Sequence, residues 1–324
     1  MNAKKYNHLK SAEDFLLKSL KGGLSHSYDV KKRRWVKPYP EVTGYILSYF
    51  SKYFSVLPSI ILEAADYLCK LQHQRGGYPS FYSKKYLFTF DTAQIMEGLA
   101  FIYQKTKKRI YFDVAKKCAD FILDMQISNG AMFPLYNTEK NCKYVDKNGQ
   151  WGVNFSMIQV KNIESLLLMY KLTKNSQYLD SAVKLKDYGK KCCDLTYTHP
   201  GAYCLEGLIE IGENDFVREK LKTEIIPRIQ SNGFLSYSPD LPYAYVSGSI
   251  QIGILLYKVG FKKIAYSVLE WARKVQLNHN SGGLFQYANF DSSLNDSIHA
   301  EINSWGTKYY VELERLFNKN FKTH

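Results

Sequence analysis

The side chains able to do acid–base chemistry in this chain of 324 residues share a setting: Glu41, Asp91, His199 and Glu301 all stand at the polar start of an apolar stretch. Two carboxyl groups in unlike surroundings separate into a proton donor and a base or nucleophile, which is what cleaving a glycosidic bond requires. Glu41 and Asp91 are the expected acid/base pair, Glu301 is a third candidate carboxylate, and His199, which titrates near neutrality, is expected to assist. Beside Tyr203, His199 also suits the removal of a proton next to a carboxylate, the step used by polysaccharide lyases and uronate C5-epimerases. The expected binding groups are the amides of Gln94, Asn154, Gln251 and Asn303, the ring of His26, and Tyr203, Trp151, Tyr245 and Trp305 as platforms for sugar rings.

Each candidate has a structural competitor. Asp91 with Gln94 three residues on is the spacing of a capping box. Glutamate is a poorer cap than Asp, Ser or Thr, so Glu41 is harder to explain that way. His199 is also placed to hydrogen-bond a helix end. Aromatic residues at helical spacing are usually core, which singles out Trp151 and Tyr245, in a rim loop and at the head of an apolar stretch.

The elements that must hold these residues repeat along the chain. A polar, small-residue start leads into an apolar helical pattern near Glu41, Asp91, Asn154, His199, Ser247 and Glu301. Between these starts lie amphipathic stretches that end in a Gln-then-Gly signal at Gln72–Gly77, Gln126–Gly130, Gln230–Gly233 and Gln276–Gly283. Glycine at such a place takes the left-handed conformation that ends a helix. A short aromatic segment follows each stop, as at Tyr78, Phe133, Phe234 and Phe285. Six starts at a period near 50 predict six helical hairpins, an all-α (α/α)6 toroid with short aromatic rim segments, in one domain spanning residues 1–324. In such a ring the inner-helix starts meet over one cavity.

Composition narrows the partners. Aromatic residues make up 15% of the chain, with 27 Tyr, more than a helical core requires and suited to a groove for flat ligands. Compositional bias toward Lys, Tyr, Asn and Ile is the competing explanation. The formal charge of +14 favours an anionic glycan or a lipid-linked saccharide, whereas the one dense basic run, Lys31–Arg34, has no nucleic-acid-binding motif around it, so nucleic acid is not expected. The six cysteines lack metal spacing, and no phosphate loop, dinucleotide fingerprint, zinc-protease helix or nucleophile elbow is present, so neither metal nor cofactor is expected. With no export-like N-terminal segment and no apolar run long enough to span a bilayer, the expected location is the cytoplasm.

The stretches Tyr39–Ile46, Phe90–Gln94, Thr198–Leu208, Ser247–Gln251, Gly282–Gly283 and Asn303–Trp305 together resemble a group of bacterial proteins associated with surface polysaccharides. These have the alpha-alpha toroid shared by terpenoid cyclases and six-hairpin glycosidases. The resemblance runs from Gly22 to about Phe317. It implies the toroid fold and a carbohydrate-active enzyme of surface-glycan metabolism, glycoside hydrolase-like, with Asp, Glu, His and Tyr at the inner-helix mouths. The acidic motif of triterpene cyclases and the zinc ligands of prenyltransferases are absent. A lyase or epimerase, and a non-catalytic glycan-binding or assembly scaffold, are the alternatives.

Overall fold

The structure, a computed structural model, describes residues 7–19, 23–80, 83–149, 152–154, 156–294 and 301–318. Its frame is a ring of six inner helices enclosed by outer helices. The inner helices are α2 (Pro40–Tyr53), α4 (Thr89–Thr106), α6 (Asn162–Thr173), α8 (Thr198–Glu210), α10 (Val246–Lys258) and α12 (Ser304–Phe317). Outside them run α1 (His8–Lys18), α3 (Ser59–Leu71), α5 (Arg109–Met125), α7 (Ser176–Cys192), α9 (Asn214–Lys220) and α11 (Lys262–Leu277). Each inner helix packs on the next and α12 returns to α2, so the ring is closed.

Burial follows this arrangement. α4 is buried around its whole circumference from Thr89 to Ala100, as a helix enclosed on all sides must be. On α5, Tyr111, Val114, Ala115, Cys118, Phe121 and Ile122 form a single buried stripe at helical spacing, with charged residues facing outward. The apolar core therefore lies between the two rings of helices.

Neighbouring inner helices approach closely where glycine permits it. A Cβ on Gly98 of α4 would lie 2.5 Å from the carbonyl oxygen of Gly44 on α2, and one on Gly248 of α10 would lie 2.8 Å from the backbone nitrogen of His199 on α8. The second contact brings the first turns of α8 and α10 side by side, while the first joins α2 to the middle of α4.

The Gln-then-Gly signal does mark the ends of outer helices, by a different means from the one expected. α3 ends at Leu71 with Gln72 as an extended cap, and Gly76 sits four residues later in a turn at φ 90°, its amide donating to the His73 carbonyl at 2.7 Å. The Gln72 side-chain amide donates to the Gly76 carbonyl at 3.0 Å and to the Val114 carbonyl of α5 at 2.9 Å. Gln126 repeats this with Gly130 and with Ser181 of α7, and Gln276 with Gly282 and with His8 of α1. The glutamine thus clasps α3 to α5, α5 to α7 and α11 to α1.

Three of the four aromatic rim segments carry short antiparallel strands, the exception being Phe234 to Tyr237. β1 (Ser27–Asp29), β2 (Arg34–Trp35), β8 (Leu284–Phe285) and β10 (Glu301–Asn303) form one sheet in the order β2-β1-β10-β8, with Ser27 opposite Asn303. β3 (Tyr78–Ser80), β4 (Ser83–Phe88), β5 (Leu135–Asn137) and β6 (Cys142–Tyr144) form a second in chain order, and β7 (Tyr243–Tyr245) pairs with β9 (Tyr287–Asn289). Strands β4, β7 and β10 run straight into α4, α10 and α12. The third inner helix departs from the expected start: Ser156 caps a 3-10 turn, Met157–Lys161, and α6 begins only at Asn162. No described helix is long and apolar enough to cross a membrane.

Candidate active site

Glu41 is the second residue of α2, after Pro40, whose fixed φ favours the first position of a helix. Asp91 is the third residue of α4 and caps nothing: the cap position belongs to Phe88, and no side chain bonds there. The capping-box reading of Asp91 and Gln94 is thereby overturned, because strand β4 leads directly into the helix and starts it two residues before Asp91. Freed from that role, the Asp91 carboxylate accepts a hydrogen bond from the Tyr39 hydroxyl at 2.9 Å. Gln94, buried one turn further on, donates to the Phe90 carbonyl at 3.4 Å.

The two carboxyl groups influence each other. Burial raises the Asp91 pKa to about 7, against the opposing pull of Tyr39. Glu41 is raised well above the usual carboxylate range, first by burial and then by the charge of Asp91, with the hydroxyls of Tyr39 and Tyr45 opposing the rise. Both sit in the first turn of a helix, where the dipole favours an anion by about 0.3–1 kcal/mol. Burial and mutual repulsion outweigh that, so the pair retains a proton near neutral pH.

Around the pair the first turns of five inner helices join in a circle of contacts. Phe90 meets Tyr203 edge-on at 4.9 Å between ring centroids; Tyr203 meets His199 at 4.6 Å, and His199 meets Tyr245 at 4.7 Å. Trp305 lies within hydrogen-bonding reach of Tyr245. His26 completes the circle, 5.9 Å from Trp305 and 6.2 Å from Tyr39. Glu301 stands on β10 ahead of α12, where it accepts a hydrogen bond from Ser27 at 2.8 Å and its charge raises the His26 pKa against a larger lowering by burial. The helix mouths that the sequence places far apart do meet at one end of the ring, the bowl, where Asp91 is buried and His199, Tyr203 and Tyr245 are buried against one another.

Other candidates are held by the protein itself. Asn303 caps α12, accepting from the Gly306 amide at 2.7 Å. Asn154 bonds back to the Gly149 carbonyl in its own loop at 3.5 Å. Trp151 lies outside the described residues. Gln251 joins two neighbours: its carbonyl is 2.5 Å from His199 Nδ1 and its amide nitrogen donates to Glu206 at 3.1 Å. Burial lowers the His199 pKa to about 3, so its ring is neutral.

Sequence reading missed Tyr39, Tyr45 and Tyr309. Tyr45 is one turn on from Glu41, and its environment is shared with Tyr203 and Tyr309, so the three form an aromatic floor beneath the carboxyl pair. The i, i+4 spacing of Glu41 and Tyr45 was the available signal. Below the floor the axis turns ionic: Lys52 pairs with Glu97 and Glu164 at 3.0 and 3.1 Å, and Lys161 pairs with Glu164 and with Glu206, the latter at 3.2 Å. These groups line a cavity of about 400 Å³ at the far ends of the inner helices, away from the bowl. Among the described residues no cluster of three His, Cys, Asp or Glu is placed to hold a metal ion.

The chain resembles known carbohydrate-active proteins. The model of glycosyl hydrolase family 76 matches residues 81–197. A solved structure of an unsaturated glucuronyl hydrolase specific for heparin superposes with a TM-score of 0.73 at 14% identity, over 97% of this chain and 96% of that one. Cellobiose 2-epimerase from Bacillus thermoamylovorans gives 0.72 at 14% identity, over 95% and 98%. A D-mannose isomerase gives 0.68 at 13% identity, over 96% and 95%. No curated protein matches the sequence. At these identities the likeness establishes the six-hairpin (α/α)6 toroid, a fold on which hydrolysis, epimerisation and isomerisation all occur.

Proposed function

We propose that this protein is a carbohydrate-active enzyme of the glycoside hydrolase type, acting on a surface glycan, with Glu41 and Asp91 as the acid/base pair of the bowl. The observation that carries the reading is the two raised carboxyl groups side by side above a tyrosine floor. At neutral pH such a pair holds one proton between them, leaving one member to donate to a leaving oxygen and the other to act as base or nucleophile. Trp305, a partly exposed ring of the circle, offers the face against which a sugar packs, with His199, Tyr203 and Tyr245 buried behind it. The net charge of +14 favours a glycan bearing carboxylate or phosphate groups.

A second reading, epimerisation or elimination on a uronate-containing chain, is favoured by one contact: the neutral His199 ring lies against Tyr203, a base beside a hydroxyl donor.

The test is turnover on a panel of neutral and uronate-containing oligosaccharides, followed by release of reducing ends. Glu41→Gln and Asp91→Asn are each expected to lower turnover at least about 100-fold, as loss of a general acid or base does. Unchanged turnover in both variants overturns the assignment. Ultraviolet absorbance from an unsaturated product, or deuterium uptake into the sugar without cleavage, selects the second reading.

A further inference from the structure

The imidazole of His199 is tied to the ionic axis below the bowl through two side chains. His199 Nδ1 is 2.5 Å from Gln251 Oε1, Gln251 Nε2 is 3.1 Å from Glu206 Oε1, and Glu206 Oε2 is 3.2 Å from Lys161 Nζ. All four residues are buried, and Lys161 and Glu206 also line the cavity at the far ends of the inner helices. The close approach of α10 to α8 at Gly248 places Gln251, three residues on, against His199.

With Glu206 ionised, the chain of contacts has only one consistent polarity. A lysine ammonium has donors and no acceptor, so it presents only positive charge to the Glu206 oxygen it faces. Burial raises the Glu206 pKa overall, with the Lys161 and Lys308 ammonium groups opposing the rise, and the 3.2 Å contact with the Lys161 ammonium favours the carboxylate form. An ionised carboxylate only accepts, so Gln251 must turn its NH2 toward Glu206. That leaves the Gln251 carbonyl facing the ring, and a carbonyl accepts only from a protonated nitrogen.

We propose that Glu206 and Gln251 are positioning residues that fix His199 as the Nδ1–H tautomer, so that Nε2 is the unprotonated nitrogen of the ring. The charge that sets this tautomer comes from Lys161, in the ionic network below the tyrosine floor. Neither Glu206 nor Gln251 need touch a substrate to do so. The inference draws on the function proposed above only in giving that nitrogen something to act upon.

The experiment is nitrogen NMR of the free protein with 15N-labelled histidine; the chain has seven histidines, and the His199 signals are identified by their loss in His199→Gln. The wild type should show a protonated Nδ1 and an unprotonated Nε2 at neutral pH. Glu206→Gln keeps the size of the side chain but can present either an oxygen or an NH2 group, and Gln251→Met removes the polar link. Each should release the preference and give a tautomer mixture, while other histidine signals stay in place. A wild-type proton on Nε2, or an unaltered tautomer in the variants, overturns the proposal. If Glu206→Gln fails to fold, the wild-type spectrum and Gln251→Met decide between the two. No sugar is present, so the result is independent of whether the protein hydrolyses glycans.

Discussion

At the scale of single residues, the bowl is defined by ionisable groups whose protonation the fold has moved in opposite directions. Asp91 shifts from 3.8 to about 7, so between those values the folded protein holds a proton that the unfolded chain has released, and stability falls as pH rises through this window. His199 shifts from 6.5 to about 3, so there the unfolded chain takes up a proton that the folded one refuses, and stability falls as pH drops. Asp91→Asn removes the first effect and can still accept from Tyr39. Its melting temperature should exceed that of the wild type at pH 8 by several degrees, with the difference closing by pH 4; a difference independent of pH contradicts the burial argument. Enzyme turnover that depends on the shared proton should likewise decline as pH rises through about 7. The sequence made Glu41, Asp91, His199, Tyr245 and Trp305 legible because each begins or precedes a helix, and helix beginnings can be read locally. It did not reveal the parts played by Glu206 and Lys161, since their meaning depends on which side chain faces them from another helix.

At the scale of elements, position along the inner helices is governed by backbone contact. Gly98→Ala puts a methyl group 2.5 Å from the Gly44 carbonyl oxygen, too close for any atom to remain there, so α2 and α4 must separate. Overpacking of this kind costs about 1–3 kcal/mol, readable as a lower urea midpoint. Because Glu41 and Asp91 ride on those two helices, the same variant should lose activity beyond its loss of stability; wild-type stability would show that the helices are not held in contact there. The hairpin repeat was legible in the sequence, since apolar period and Gln-Gly punctuation are local signals. The clasp by Gln72, Gln126 and Gln276 was not, because each reaches a carbonyl on the next outer helix.

At the scale of the whole molecule, the ring closes where α1, α2 and α12 meet. Glu13 of α1 accepts from Tyr49 of α2 at 2.5 Å and pairs with Arg315 of α12 at 2.6 Å, and Arg315 also donates to Tyr49 at 2.6 Å. Glu13→Ala leaves a largely buried guanidinium without its counter-charge, which costs about 3–5 kcal/mol. Chemical denaturation should show that loss in a single shared transition, because every inner helix depends on both neighbours; early melting of α1 alone would contradict this coupling.

The greasy part of this protein lies in the wall of the tube, whereas its axle is built of tyrosine, glutamate and lysine. Axial side chains can therefore be exchanged to deepen, shallow or recharge the bowl while the load-carrying layer between the helix rings is left alone. A scaffold divided in this way lets catalysis diversify without refolding.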